Sequence, residues 1–318
     1  MPKFRAAVLK EFGGKFEISH VEVKPPQGFS AEVEVRAVGV CGRDLVVWKG
    51  GFRNLRPPLI LGHEVFGLYR GRPVGVYPAI VGEKCKLVEP HNLCTDYMIL
   101  GENTPGGYAE RVYVPEWNII ELPDEEFSKY AAAVCGVATF IHASRLAGVS
   151  SGEKVLVTGA SGGVAIHGIQ YLASLGAEVI AYTRSQAKAE VLRSLGVNVV
   201  SSLDFYKESG RVDHVMETVG APTINRSIRS LKPGGTLVLI GNVTGEPIVL
   251  ERPALVVMRE VRIVGSAAYT RDEYAEAVRI VGEGTIRPFY KEYRLESINE
   301  AYMDIVGGKV VGRAVLVV

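Results

Sequence analysis

Apolar and polar positions alternate over short distances through the first third of the chain. Residues 4–9, 31–38 and 74–77 are runs of this β type, and Pro25-Pro26, Gly50-Gly51, Pro57-Pro58 and Gly106-Gly107 punctuate the segments around them. Helical spacing is nearly absent there, so the pattern predicts an irregular, mostly antiparallel β domain. Near residue 125 the texture changes. Residues 154–158 read as a buried strand, and 163–175 set Val164, Ile166, Ile169, Leu172 and Leu175 on one broad helical face. A strand at 178–182, a helix at 186–195 and strands at 198–200, 214–216 and 236–240 follow. Alternation at this spacing makes parallel βαβ units, hence an α/β, doubly wound parallel sheet. After Gly265 the pattern shows one clear helix, 271–281, and the chain closes on a strand at 313–318. At 318 residues, about two domains are expected.

Composition changes this picture little. A net charge of +1, with no basic block and no aromatic-basic interleaving, argues against nucleic acid or anionic membrane as a partner. No apolar run reads as long enough for a membrane span, and the charges in MPKFRAAVLKEF make the N-terminus a strand and not a signal peptide. A cytoplasmic protein is expected. Gln27, Gln170 and Gln186 are the only glutamines, a scarcity of thermolabile amides that points towards a thermophilic source. Four cysteines, Cys41, Cys85, Cys94 and Cys135, are too few for a disulfide scaffold at this length, so metal binding or catalysis is the first expectation.

The strand at 154–158 runs into Gly159-Ala160-Ser161-Gly162-Gly163-Val164, where a helix begins. Glycine permits the tight turn and the close backbone approach that a pyrophosphate needs, and the helix start offers free N–H groups. The strand–turn–helix context raises a glycine cluster from a structural turn to a dinucleotide site. An NAD site ends its second strand on a carboxylate that bonds the ribose 2′-hydroxyl. Here Thr183 stands in that place and Arg184 follows, a planar fork suited to a 2′-phosphate. NADP(H) is therefore expected over NAD(H). Lys188 adds charge nearby or simply sits on a solvated helix face.

Cys41, His63 and Cys135 are each weak signals alone, since buried cysteines are commonly small hydrophobes. Two thiolates and an imidazole would suit zinc and leave a fourth position for substrate. The motifs Gly39-Val40-Cys41-Gly42-Arg43-Asp44, Gly62-His63-Glu64, Gly106-Gly107-Tyr108-Ala109-Glu110, the Cys135 segment, the glycine turn, Leu231-Lys232-Pro233-Gly234-Gly235 and the ending from Gly312-Arg313 stand in an order and spacing that resemble the medium-chain dehydrogenase/reductase family, zinc alcohol dehydrogenase branch. The resemblance runs from about Phe4 to Val318. It implies a Rossmann cofactor domain, 137–265, inserted into a mostly β, GroES-like catalytic domain, 1–136, with a return at 266–318. It also implies one catalytic zinc per subunit on Cys41, His63 and Cys135, with Glu64 close to the metal as an alternate ligand and Asp44 orienting the histidine. Thr139 falls near the nicotinamide, Arg313 at the pyrophosphate, and Gly241 is a further cofactor contact. The implied activity is reversible hydride transfer between a small alcohol, aldehyde or ketone and NADP(H), in a homo-oligomer, either dimer or tetramer.

Two positions depart from the family. Where a Ser or Thr normally begins the proton relay, this chain has Arg43, which stays protonated. Either Arg43 turns away or pairs with an acid, or its charge faces the pocket. The lobe that carries four cysteines in the family here has Cys85 and Cys94 only, with His91 between them. A four-cysteine zinc is impossible, and a makeshift site of Cys85, His91 and Cys94 has three ligands where structural zinc takes four; a disulfide and free thiols both remain open, and no structural zinc is expected. Trp48 and Tyr269 are ambiguous between pocket wall and core. The rival readings are a zinc-free NADPH quinone or enoyl reductase and a non-catalytic nucleotide-binding protein. Retention of all three ligand positions argues against both.

Overall fold

In the computed structural model, residues 3–86 and 90–318 are described, and their strands assemble into two principal sheets. One sheet has seven strands. Tyr290–Arg294, Arg313–Val317, Ala31–Val40, Glu64–Tyr69, Arg72–Val76 and Ile119–Glu121 lie side by side in that order, and Arg111–Val114 also pairs with Ala31–Val40. The first two strands are parallel and the remaining pairs antiparallel. Along Ala31–Val40, Ala31, Val33 and Val35 point inward between more exposed Glu32, Glu34 and Arg36, until 37–40 are buried on both faces. The strand thereby delivers Cys41 into the interior. Smaller antiparallel pairs are Phe4–Leu9 with Phe16–Val21, and Ala79–Val81 with Tyr97–Ile99.

The other sheet is wholly parallel, ordered Asn198–Val200, Glu178–Tyr182, Lys154–Val157, Val212–Glu217, Leu231–Leu239 and Arg262–Gly265. Leu156, Ile180, Val215 and Leu237 form its core. Strand order reverses between Lys154–Val157 and Val212–Glu217, the place where doubly wound sheets open a ligand crevice. This is the α/β fold with a mostly β, GroES-like partner that the sequence pattern and resemblance anticipate.

The chain divides into two units. One comprises Met1–Cys135, Thr270–Gly284 and Pro288–Val318; the other comprises Gly136–Tyr269 and Thr285–Arg287. The second unit extends past 265 because Thr270 caps the next helix, accepting from Glu273 N. Residues 285–287 join it through Gln170, whose amide bonds Arg287 O at 2.9 Å and Arg287 N at 2.8 Å.

Helices are where periodicity fell short. Gly42–Trp48, Ile224–Ser230 and Pro253–Arg259 have seven residues each, too short to show a stripe. Ile298–Val306 is a second helix after Gly265, where one was expected. Phe127–Ala147 is apolar all round, so it has no amphipathic signature. By length and composition this helix could cross a membrane, contrary to the reading that no segment could; 83% of its most apolar window is buried in protein, as a core helix.

Candidate functional site

Three elements converge on one buried cluster. Cys41 is the N-cap of Gly42–Trp48, His63 and Glu64 open the strand Glu64–Tyr69, and Cys135 lies in Phe127–Ala147. A ligand atom from each of Cys41, His63, Glu64 and Cys135 lies within 4.8 Å of the others, and all four residues are buried. Close backbone approach makes this possible. A Cβ at Gly39 would sit 2.0 Å from Glu64 Oε2 and 2.4 Å from the Ala131 carbonyl, so only glycine admits the carboxylate and the helix together.

Asp44 orders the cluster from the first turn of its helix. Its Oδ2 accepts from Cys41 N at 2.8 Å and from the Tyr108 hydroxyl at 3.1 Å, while Oδ1 lies 3.1 Å from His63 Nδ1. The bond fixes the imidazole and leaves Nε2 for the cluster. The Tyr302 hydroxyl donates in turn to that of Tyr108 at 3.4 Å. Neither tyrosine hydroxyl was anticipated, although Tyr108 lies in the Gly-Gly-Tyr-Ala-Glu motif.

The titration of the cluster follows from its burial and crowding. The Cys135 thiol donates to Cys41, holding the Cys41 thiol well below its usual range, with Arg313 and His63 helping. The same bond pushes Cys135 well above its range. Burial opposes a charge on His63, but Asp44 and Cys41 outweigh it and raise the imidazole. Burial pushes Glu64 up to about 8 against the pull of Arg313. Arg313 Nη2 lies 3.0 Å from Glu64 Oε1, yet neither Glu64 oxygen accepts a well-aligned hydrogen bond. The resemblance places Arg313 at the pyrophosphate; in the structure its guanidinium is buried beside Glu64, because Arg313 begins the strand paired to Val40.

Two thiols, an imidazole and a carboxylate form a donor set suited to zinc, whose tetrahedral ligand atoms stand roughly 3.3–3.8 Å apart. Buried carboxylate oxygens without hydrogen bonds are what a cation would satisfy. The residues therefore fit the metal.

Arg43 pairs with an acid. Its Nε donates to Glu102 Oε1 and its Nη2 to Oε2 at 2.9 Å, and Phe52 lies beneath the guanidinium at 4.7 Å. Glu102 escaped the sequence reading. Trp48 joins the core of its unit, its Nε1 donating to Gly14 O. Cys85 and Cys94 form a disulfide with Cα atoms 5.9 Å apart. This resolves the open alternative and removes both from any metal site.

In the other unit, Gly159 has φ +61°, and a Cβ there would meet Thr218 Oγ1 at 2.6 Å. Gly162 caps Gly163–Ser174, so Ser161, Gly163 and Val164 lie at or beside the helix start. Thr183 is buried with Oγ1 3.4 Å from Ser161 Oγ, and Arg184 is exposed with no hydrogen bond or ion pair among the described residues. Lys188 is half-buried, and burial lowers its pKa. Gly241 packs its Cα over Thr218, and Thr139 is buried in its helix. Glu217, also unanticipated, is fully buried at the sheet reversal. It accepts from Thr158 Oγ1 (2.7 Å), Val219 N (3.0 Å), Gly220 N (3.0 Å), Thr223 Oγ1 (2.7 Å) and Ser227 Oγ (2.5 Å). It thus ties the end of the strand Lys154–Val157 to the turn after Val212–Glu217.

Comparison with known proteins agrees with this geometry. Residues 28–124 match the alcohol dehydrogenase GroES-like domain and residues 163–283 the zinc-binding dehydrogenase domain. An acryloyl-coenzyme A reductase of Sulfurisphaera tokodaii is 32% identical, over 93% of this chain and 95% of its own. An alcohol dehydrogenase of Geobacillus stearothermophilus is 29% identical over 98% of each. The cobalt- and zinc-bound thermostable alcohol dehydrogenase of Pyrobaculum aerophilum superposes with a TM-score of 0.91 at 27% identity, covering 100% of both chains. The chain belongs to the zinc-type medium-chain dehydrogenase/reductase family and is an oxidoreductase of that family.

Proposed function

We propose that this chain is a zinc-dependent, NADP(H)-linked dehydrogenase that moves a hydride between the nicotinamide and a small alcohol, aldehyde or ketone. The buried Cys41–His63–Glu64–Cys135 cluster, with His63 held by Asp44, carries the reading. Cys41, His63 and Cys135 would hold the metal, with Glu64 beside it. When bound, zinc supplies Lewis-acid polarisation of the substrate oxygen and the nicotinamide supplies or accepts the hydride. The chain's own residues do the positioning. Asp44 fixes the tautomer of His63, and Cys41 and Cys135 give up the proton they share when a cation arrives. The turn 159–163 receives the pyrophosphate at the start of the helix Gly163–Ser174, where Ala160 N and Gly162 N already bond within the protein and the first helical N–H groups face the ligand. Arg184, with no hydrogen bond or ion pair among the described residues, receives the 2′-phosphate, and Thr183 offers no carboxylate to repel it. Arg43 cannot act as a neutral hydroxyl relay, so water carries the proton of the reacting hydroxyl. Assembly into a dimer or tetramer is part of the proposal. The exposed Val257 and Met258, near the edge strand Arg262–Gly265, offer an apolar surface for it.

A second reading is favoured by the pairing of Arg43 with Glu102 where a relay hydroxyl would stand, and by the resemblance to acryloyl-coenzyme A reductase. Reduction of an activated C=C bond needs no alcohol proton relay. One experiment separates the two: metal content per chain after chelator-free purification, with NADPH and NADH oxidation measured on ketones, aldehydes and acryloyl-coenzyme A, before and after chelation. About one zinc and chelation-sensitive ketone or aldehyde reduction supports the first reading. Reduction of acryloyl-coenzyme A alone, indifferent to chelation, refutes it.

A further inference from the structure

Arg43 follows the ligand Cys41 by two residues, and the structure holds it in an unusual way. Gly101 has φ +82°, and its Cβ would come within 2.8 Å of Gly62 N; that of Gly106 would lie 2.5 Å from Gly62 O. The turn at 101–106 therefore lies backbone against backbone on the residue before His63. That contact carries Glu102 to the first turn of Gly42–Trp48, where it grips Arg43 with both oxygens. Phe52 backs the guanidinium. The Glu102 side chain is 7% exposed and that of Arg43 42%, so the acid is the buried anchor and the guanidinium the open face. Glu102 occupies two of the five N–H groups; the other three meet no acceptor among the described residues. Gly42, between Cys41 and Arg43, is exposed, and a Cβ built there would meet nothing within 4 Å. The partly exposed guanidinium thus belongs to the residue two positions after one metal ligand and is held by a turn packed on the residue before another.

We propose that Arg43, clamped by Glu102, is a specificity-determining residue that selects carbonyl substrates bearing a second, uncharged acceptor oxygen beside the reacting carbonyl. The inference rests on the carbonyl–alcohol reading above. The charge state follows from the clamp. A guanidinium already paired to a carboxylate has little net charge to offer, and a substrate carboxylate would meet the field of Glu102 at close range. A ketone, ester or hydroxyl oxygen takes the hydrogen bond without that repulsion. In the reaction, hydride passes from NADPH to the carbonyl carbon and a proton from water to its oxygen. The products are the hydroxy compound and NADP+.

The test uses three probes with the metal-loaded protein and NADPH: 2,3-butanedione, which has the second acceptor; 2-butanone, which lacks it; and pyruvate, in which it is a carboxylate. The readout is the ratio of kcat/KM values within each variant, which is independent of the fraction of protein that folds. Arg43→Met is expected to lower the butanedione-to-butanone ratio about tenfold relative to wild type, the worth of one hydrogen bond to an oriented donor. Glu102→Gln frees the positive charge and is expected to raise pyruvate relative to butanedione by a similar factor. Unchanged ratios in either variant overturn the proposal. Failure of the wild type to reduce any of the three overturns the carbonyl reading itself, and the proposal with it.

Discussion

Tyr108→Phe isolates one hydroxyl at the centre of the site. Burial and the neighbouring Asp44 push the Tyr108 phenol well above its usual range, so it remains a donor across the whole working pH range. It gives Asp44 Oδ2 one of two bonds; the other, from Cys41 N at 2.8 Å, is the shorter and survives the change. A hydrogen bond to a charged group contributes about 1.5–3 kcal/mol. At 3.1 Å, on a carboxylate that keeps a second donor, the lower end applies. About 1.5 kcal/mol is about tenfold in an equilibrium constant. The expected result is therefore zinc affinity about tenfold weaker, because Asp44 alone orients His63 through Nδ1. The assay is competition between metal-free protein and a chelator for zinc, repeated with cobalt(II), whose absorption bands report ligand geometry. The thermal unfolding midpoint of the metal-free variant registers separately the cost of leaving the buried Tyr302 hydroxyl without its acceptor. An affinity within about twofold of wild type, alongside a large loss in Asp44→Asn, would show that Asp44 needs no support from Tyr108 and would refute the reasoning.

Replacing Thr183 by Asp together with Arg184 by Ile should shift the NADPH-to-NADH preference towards NADH by at least about tenfold, the loss of a charge-assisted phosphate contact; an unchanged ratio of kcat/KM values sinks the assignment of the 2′-phosphate site. Glu217→Gln should cost about 2–3 kcal/mol, since an amide cannot accept all five of its bonds, and should lower the unfolding midpoint by roughly 3–5 °C. A midpoint within about 2 °C of wild type contradicts the account of Glu217. Asp304 accepts from Lys291 Nζ and Tyr293 Oη at 2.8 and 2.9 Å and from Lys309 Nζ at 3.1 Å, bonds that hold its carboxyl far below the usual range. A depressed carboxyl contributes stability that is whole above its unfolded pKa of about 3.9 and is lost as pH falls below it. Asp304→Asn should therefore flatten the acid limb of unfolding midpoint against pH below about 4, and an unaltered slope there speaks against it. Under denaturing conditions without reductant, a thiol titration should find two reactive groups, Cys41 and Cys135, and four after reduction; four at the outset would exclude the Cys85–Cys94 bond.

What the sequence made legible was local. Gly159 and Gly162 announce the dinucleotide turn because a positive φ and a helix entry are constraints on one or two residues. The alternation of strand and helix gives the parallel sheet for the same reason. The metal ligands come from distant segments, and only the resemblance in motif order drew Cys41, His63, Glu64 and Cys135 together. Pairings with no local signature stayed hidden. Glu102 reaches Arg43 across 59 positions and Tyr302 reaches Tyr108 across 194, through contacts that depend on the folded backbone. Cys85 and Cys94 were undecided because spacing alone permits a bond without requiring one. The helix Phe127–Ala147 was missed because burial on every side erases the period that marks a helix at a surface.

The glycines around the metal cluster differ in what they would tolerate, and that difference maps the routes open to laboratory evolution. At Gly62, Gly101 and Gly106 any side chain collides with backbone or with Tyr108 within 3 Å, and the first two also have positive φ. Random libraries at these codons should return almost only inactive clones. Gly42, by contrast, borders empty space and has ordinary backbone angles. It is the position at which a library can add bulk beside the ligands without disturbing them, and so the first place to look for variants with altered substrate range.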